Sequence, residues 1–179
     1  MHRKVLRIVR VAVTAALLAV CSWVSLPFPV PITLQTFGVF LALTACGGLE
    51  GTLGLLVYIA LGAVGLPVFA GFSGGVSALF GPTGGYIFGF LLTGGTKLLF
   101  EKLFGRIRLE LPALALGLLL CYACGTAWFM FVMNSRGGAY TAGSALMTCV
   151  VPFILPDAAK LALGFTVGRR LRPVIGGQT

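Results

Sequence analysis

Two long stretches of this chain, residues 11–49 and 51–96, contain no Asp, Glu, Lys or Arg. A charged side chain at the centre of a bilayer costs at least about 2.5 kcal/mol to insert, so uncharged runs of this length are typical of membrane-spanning segments. Of all 179 residues, 58% are hydrophobic and 9% are charged, whereas soluble domains carry about 25% charged residues. This composition excludes a soluble or disordered chain and predicts an integral membrane protein embedded in the lipid bilayer.

The uncharged runs are longer than single helices, since a helix crosses a bilayer with about 20 residues. Pro27, Pro29 and Pro31 interrupt the first run, because proline removes a backbone donor and restricts the residue before it. Gly65-Leu66-Pro67 interrupts the second. The sequence therefore predicts an all-α bundle of six transmembrane helices, forming a single membrane domain over residues 1–179, with spans near 11–26, 34–48, 51–66, 84–100, 111–133 and 150–168.

The basic residues predict the orientation of this bundle, because short loops rich in Lys and Arg stay in the cytoplasm. Eleven of the 13 basic residues lie on one side in sequence: at the N-terminus, at the end of the fourth span and in the loop after it, and after the sixth span. The opposite loops contribute only Arg136, and Lys160 lies within a span. We therefore expect a multi-pass protein of a bacterial cytoplasmic membrane with both termini cytoplasmic. The net charge of +9 is explained by topology and anionic lipid, and no nucleic-acid partner is needed.

The sequence carries only weak signals for a metal site, a redox-active cysteine pair or a phosphate-binding loop. The single histidine, His2, has no companion, so no metal site, cofactor or histidine base is expected. Cys121 and Cys124 have the spacing of a redox motif but lie in an apolar span without a basic neighbour, which favours buried small residues. The glycine-rich segment at residues 81–85 lacks the Lys-Ser/Thr ending of a phosphate loop. Any ATP-driven step is therefore expected on another polypeptide.

Asp157 and Lys160 are the only charged residues predicted well inside a span. Three residues apart, they share one helix face and can form a pair. With a rise of 1.5 Å per residue, they lie roughly 10 and 15 Å from the outer end of the sixth span. Charges at such depth usually line a binding site or a proton path, although a structural ion pair is the alternative. Together they offer an acceptor and a cationic donor to one small polar ligand.

The second candidate feature is the irregular backbone expected on the outer side. Glycines and prolines at residues 27–33 and 66–85 predict tight turns, and apolar residues such as Phe69 and Phe72 can fold back over a cavity. An outward-facing pocket with a loop as its lid is the inference. Polar residues at helix starts on this face are candidate ligands or, alternatively, caps and interface residues. The candidates here are Thr33, Gln35, Phe69, Ser73, Thr83 and Tyr86.

Four motifs spread over nearly the whole chain resemble the BioY family, the biotin-binding subunits of energy-coupling factor (ECF) transporters. They occur in the family's order and at its spacings. They are Pro29-Val30-Pro31-Ile32-Thr33-Leu34-Gln35-Thr36, Gly62-Ala63-Val64-Gly65-Leu66-Pro67-Val68-Phe69-Ala70-Gly71, Gly81-Pro82-Thr83-Gly84-Gly85-Tyr86 and Pro152-Phe153-Ile154-Leu155-Pro156-Asp157-Ala158-Ala159-Lys160.

The resemblance implies a biotin pocket near the outer face, in which Asp157 and Lys160 hold the polar groups of the vitamin. A carboxylate suits the N–H groups of a ureido ring, and an ammonium suits a carbonyl or a carboxylate. Phe69, Tyr86 and their neighbours would pack on the apolar ring and chain. Some relatives also use an arginine near the third and fourth spans. This sequence has no arginine between Arg10 and Arg106, so the partner of the biotin carboxylate is left open.

The resemblance also implies partners: a transmembrane coupling subunit and two cytoplasmic ATPase subunits. Family members contact the coupling subunit through small residues of the first helix, which here match Ala12-xxx-Ala16 and Ala15-xxx-Ala19. Packing within the chain is the alternative for these alanines.

Biotin capture without covalent chemistry is therefore the predicted function. A self-sufficient proton-coupled transporter, with Asp157 and Lys160 as a proton relay, is the alternative. A membrane enzyme using Lys160 as a nucleophile is a third hypothesis, for which only Asp157 is a nearby partner.

Overall fold

Helices separated by short turns make up most of the chain. The computed structural model describes residues 2–28, 30–105 and 108–175. Its helices are α1 (His2–Trp23), α2 (Gln35–Ala45), α3 (Gly48–Ala63), α4 (Val76–Leu79), α5 (Gly84–Phe104), α6 (Glu110–Ser135), α7 (Ala142–Cys149) and α8 (Val151–Ile175). Strands β1 (Ser25–Leu26) and β2 (Ile32–Thr33) pair antiparallel, and Ala70–Phe72 form a 3-10 turn. The expectation of an all-α protein is corrected in this detail: the fold is mostly helical, with one two-stranded ladder around the proline segment.

Each predicted span overlaps one helix of 11 residues or more, and the differences in length have local causes. The basic residues before position 11 belong to α1, since nothing there breaks a helix. The helix ends at Trp23 because the next residues pair in the ladder. Between α2 and α3 only two residues intervene, and Gly47 makes this turn possible with a φ of 89°.

Three helices of the described residues, α1, α6 and α8, are long and apolar enough to cross a membrane by length and composition. The helices α2 and α3 are apolar but shorter. A multi-pass membrane protein is consistent with this pattern. The count of six spans and the cytoplasmic location of both termini stay predictions.

Glycines allow α5 and α6 to pack closely. A Cβ on Gly89 would lie 2.6 Å from Cys121 Sγ and 3.0 Å from Cys121 Cα, so only glycine fits there. Gly85 faces Trp128 in the same way, and Gly125 of α6 faces the ring of Tyr86. Close approach through small residues is how helices associate where the hydrophobic effect is absent. These contacts fix the side of α5 that carries Tyr86 relative to α6.

The helix α8 packs against α2 through one buried face. A Cβ on Gly164 would lie 2.9 Å from Phe40 Cβ, and one on Gly168 would lie 2.6 Å from Thr44 Cβ. Lys160 and Asp157 are buried on the same face, one turn and two turns from Gly164 toward the start of α8. The glycine contacts therefore hold the charged pair against α2.

The end of the bundle where α5 ends and α6 begins is tied by ion pairs. Glu110 is buried and pairs with Lys97 of α5 at 2.9 Å and with Arg172 of α8. Lys97 also pairs with Glu101 at 2.7 Å. Arg10 of α1 joins Glu50 of α3 at 3.0 Å. Three of the four carboxylates of the chain are thus used at this end, and the fourth is Asp157.

Two glycine substitutions in α5 test the packing with α6. Both Gly89→Ala and Gly95→Ala raise helix propensity equally, but a Cβ at Gly95 meets nothing within 4 Å. We expect Gly89→Ala to cost about 1 to 3 kcal/mol from overpacking, whereas Gly95→Ala should be neutral or slightly stabilising. Thermal unfolding in detergent measures the difference, and equal melting temperatures for the two variants would contradict close packing at Gly89.

Candidate functional site: a cavity around Asp157 and Lys160

A single cavity of about 460 Å³ brings the predicted site residues together. It is bounded by the start of α2, the loop before α5, one face of α5 and α6, and the first turns of α8. The volume is in the range of pockets for small molecules. All eight side chains that the sequence singled out for substrate line it: Thr33, Gln35, Phe69, Ser73, Thr83, Tyr86, Asp157 and Lys160.

The Asp157 carboxylate is the most heavily bonded group of the cavity. Its Oδ1 accepts from Lys160 Nζ and from Thr36 Oγ1, both at 2.8 Å. Its Oδ2 accepts from the Tyr122 hydroxyl at 2.7 Å. Asp157 is 2% exposed and Lys160 is 9% exposed. The three donors satisfy both oxygens of this buried carboxylate within an apolar surrounding.

The donors to Asp157 come from three helices, and two of them were missed by the sequence analysis. Thr36 lies in α2 and Tyr122 in α6, and both line the cavity. The signal that pointed to Thr36 was its place in the motif shared with the BioY family. Tyr122 lies within the Cys-x-x-Cys segment, whose spacing is a signal for thiol chemistry and gives none for the tyrosine hydroxyl.

Lys160 has bonding capacity left for a ligand. An ammonium has three N–H donors, and one of them is used by Asp157. Because Lys160 lines the cavity, the other donors can reach a bound acceptor. The neighbouring carboxylate balances its positive charge, so this donor suits a neutral carbonyl oxygen at least as well as an anion.

A second polar group is fixed at the start of α2. Gln35 Nε2 donates to the Tyr58 hydroxyl at 2.6 Å, and its Oε1 accepts from Thr33 Oγ1 at 3.1 Å. Gln35 N also donates to Thr33 Oγ1 at 3.2 Å. Gln35 and Thr33 are both buried. These bonds hold both side chains at the cavity wall in one orientation.

The loop after α3 covers one side of the cavity. Phe69 is 2% exposed and packs edge-on against Tyr58, with ring centroids 5.4 Å apart. Gly71 and Phe72 adopt left-handed backbone, with φ of 66° and 56°, and this tight turn lets Phe69 N donate to Ser73 O at 2.9 Å. The Phe72 ring stacks on Trp23 instead of lining the cavity. Of the two phenylalanines expected over the cavity, Phe69 lines it and Phe72 does not, so the expectation for Phe72 was wrong.

Aromatic and apolar side chains form the remaining wall. Tyr86 directs its ring to the cavity, while its hydroxyl contacts Thr126 Oγ1 at 3.0 Å. Thr83 precedes the first residue of α5 and makes no side-chain capping bond, so its hydroxyl is left for the cavity. Cys121 also lines this wall, and among the described residues no two cysteines form a disulfide.

One cation at the mouth was not singled out as a ligand by the sequence analysis. Arg136 follows the last residue of α6 and lines the cavity. The charge pattern had marked it as the only basic residue of the outer loops. What the sequence could not show is that this loop position borders the same cavity as Lys160.

The four alanines predicted for a partner interface divide into two pairs. Ala15 and Ala19 are buried, 3% and 8% exposed, so they pack within the chain. Ala12 and Ala16 are exposed, on the face of α1 that points away from the bundle. Only the pair Ala12 and Ala16 is therefore available for a contact with another protein.

The chain is similar to known proteins over nearly its whole length. The family model described as the BioY family matches residues 1–177. The chain is 38% identical to the biotin transporter BioY of Thermotoga maritima, over 93% of this chain and 95% of that protein. It is also 38% identical to the probable biotin transporter BioY of Pyrococcus horikoshii, over 90% and 93% respectively.

Its fold is similar to the crystal structure of the S-component for biotin from an ECF-type ABC transporter. The TM-score is 0.82 at 30% sequence identity, covering 96% of this chain and 93% of the other. Together with a family match over nearly the whole sequence, this establishes that the chain belongs to the BioY family.

Proposed function

We propose that this chain is the biotin-binding S-component of an ECF transporter. It is a multi-pass membrane protein that captures biotin and mediates its uptake, and it is a transport subunit, not an enzyme. The observation that carries the proposal is the buried Asp157 and Lys160 pair that lines the cavity of a BioY-family chain.

The cavity is chemically suited to the ring of biotin. Lys160 Nζ would donate to the ureido carbonyl oxygen. Asp157 Oδ2 has one protein donor, and a carboxylate oxygen accepts two hydrogen bonds, so it would accept one ureido N–H. Phe69, Ile87 and Phe90 would cover the apolar ring system and chain. Thr33, Gln35, Ser73, Thr83 and Tyr86 complete the proposed binding set.

Energy for uptake would come from other polypeptides of the transporter. We propose six membrane spans with both termini cytoplasmic, so that the cavity faces the outer side. The exposed pair Ala12 and Ala16 of α1 would approach a transmembrane coupling subunit, and two ATPase subunits would act through that subunit. The distribution of basic residues along the sequence supports this orientation. Eleven of the 13 belong to the predicted cytoplasmic side, whereas Arg136 belongs to a loop of the other side.

Titration of the purified chain with biotin tests the function directly. Trp23 Nε1 donates to Pro67 O at 2.8 Å and Trp128 Nε1 donates to Gly81 O at 3.0 Å, so both indoles are bonded to segments at the cavity border. We expect biotin to change tryptophan fluorescence saturably without ATP, with no response to thiamine or riboflavin. Folded protein that fails to bind biotin would overturn the proposal. Uptake by this chain alone in liposomes, driven by a pH gradient, would instead support a proton-coupled transporter.

The role of Lys160 in binding is tested by its replacement with methionine, which keeps the length of the side chain. Loss of a charge-assisted hydrogen bond should weaken biotin affinity roughly ten- to a hundredfold. Lys102→Met is the matched control, since Lys102 is exposed at the far end of α5. Unchanged affinity in Lys160→Met, measured by calorimetry on folded protein, would remove Lys160 from the site.

The pairing of Asp157 with Lys160 also predicts an effect on the free energy of unfolding. Lys160→Met leaves the buried Asp157 carboxylate without its counter-charge, which should cost about 3 to 5 kcal/mol. Adding Asp157→Asn removes the uncompensated charge, so the double variant should regain part of this loss. Denaturation in detergent gives the free energies of the double-mutant cycle. If the loss in the double variant equalled the sum of the losses in Lys160→Met and Asp157→Asn alone, the two charges would not be energetically coupled.

A further inference from the structure

Arg136 is a cation that borders the cavity and has no partner among the residues that the structure describes. It lines the cavity, and among the described residues its guanidinium makes no hydrogen bond and no salt bridge. All four carboxylates of the chain are engaged elsewhere, three of them at the opposite end of the bundle. An arginine is always charged and presents a planar fork of donors that matches a carboxylate.

The net charge of the cavity also favours a ligand with one carboxylate. Lys160 and Asp157 form a neutral pair, so Arg136 leaves the cavity with one positive charge. A ligand that carries one carboxylate would make the occupied cavity neutral. An electrically complementary site favours such a ligand over its uncharged analogues.

The two cations lie at different depths. Lys160 is nine residues into α8, about 14 Å along the axis from its first residue. Arg136 follows the end of α6, at the same end of the bundle as the start of α8, to which α7 connects it. Two cations at different depths of one cavity suit an extended ligand with a polar ring at one end and a carboxylate at the other.

The backbone of Arg136 is held while its side chain is left without bonds. The helix α6 ends in a Schellman motif, in which Gly138 N donates to Met133 O and Gly137 N donates to Asn134 O. Gly137 adopts the left-handed backbone that the motif requires, with φ of 88°. The Asn134 side chain then bonds to both backbone groups of Tyr140. The guanidinium is therefore presented from a fixed turn.

We propose that Arg136 is the residue that binds the carboxylate of the ligand at the mouth of the cavity, while Lys160 and Asp157 bind the ring at depth. The proposal rests on biotin as the ligand. It assigns Arg136 as a specificity-determining residue, which selects the free acid over neutral derivatives of the same vitamin.

Titration of four full-length proteins with two ligands tests this assignment. The proteins are wild type, Arg136→Gln, Arg136→Lys and the control Arg170→Gln, whose residue is exposed late in α8. The ligands are biotin and biotin methyl ester, which lacks the negative charge. We expect Arg136→Gln to weaken biotin roughly ten- to a hundredfold and to leave the ester nearly unchanged. Arg136→Lys should retain part of the preference, and Arg170→Gln should behave as wild type.

The outcomes separate this proposal from the function it rests on. If wild type binds biotin and the ester equally, or if Arg136→Gln weakens both ligands alike, Arg136 does not bind the carboxylate although the chain still binds biotin. If folded wild type binds neither ligand, both the function and the assignment fail. A preference for biotin in wild type that disappears in Arg136→Gln supports the assignment.

Discussion

The buried carboxylate of Asp157 is the constraint on which the arrangement of the cavity depends. A charge within an apolar bundle is tolerated only when it is paired and its remaining lone pairs are satisfied. Here Lys160 supplies the counter-charge, and Thr36 and Tyr122 supply neutral donors from two other helices. Satisfying one carboxylate therefore brings α2, α6 and α8 together at one depth and creates a fixed polar point in an otherwise apolar cavity.

The packing elsewhere in the molecule makes this convergence possible. Gly164 and Gly168 let α8 approach α2 closely, which places Asp157 within reach of Thr36. Gly89 does the same for α5 against α6, so that Cys121 and Tyr122 face the cavity from the adjoining helix. At the other end, Glu110 joins α5, α6 and α8 through two cations. The bundle is thus fixed by ion pairs at one end and by close helix contacts beside the cavity.

The sequence predicted the positions of the helices and the central pair, but not the rotation of each helix. Charge-free runs and prolines mark spans, and spacing alone places Asp157 and Lys160 on one face. Thr36 and Tyr122 could not be assigned this way. The lipid-facing and buried surfaces of a membrane helix are both apolar, so the hydrophobic pattern does not show which side of the helix faces the cavity. The same limit explains Ala15 and Ala19, whose spacing fits an interface although they are buried. Short elements such as β1 and α4 depend on local turns that composition does not reveal.

The walls of the cavity differ in how much structure must change for them to move. The wall made by α5 and α6 is fixed by glycine contacts along both helices, so moving it would disrupt an extended interface. The opposite wall is the loop after α3, which is held to α1 by single contacts: Trp23 Nε1 donates to Pro67 O, Ser22 Oγ donates to Val68 O, and the Phe72 ring stacks on Trp23. Segments with few long-range contacts open at lower free energy than packed helices. Displacing this loop would break these single contacts and would leave the interface of α5 and α6 and the bonds of Asp157 intact.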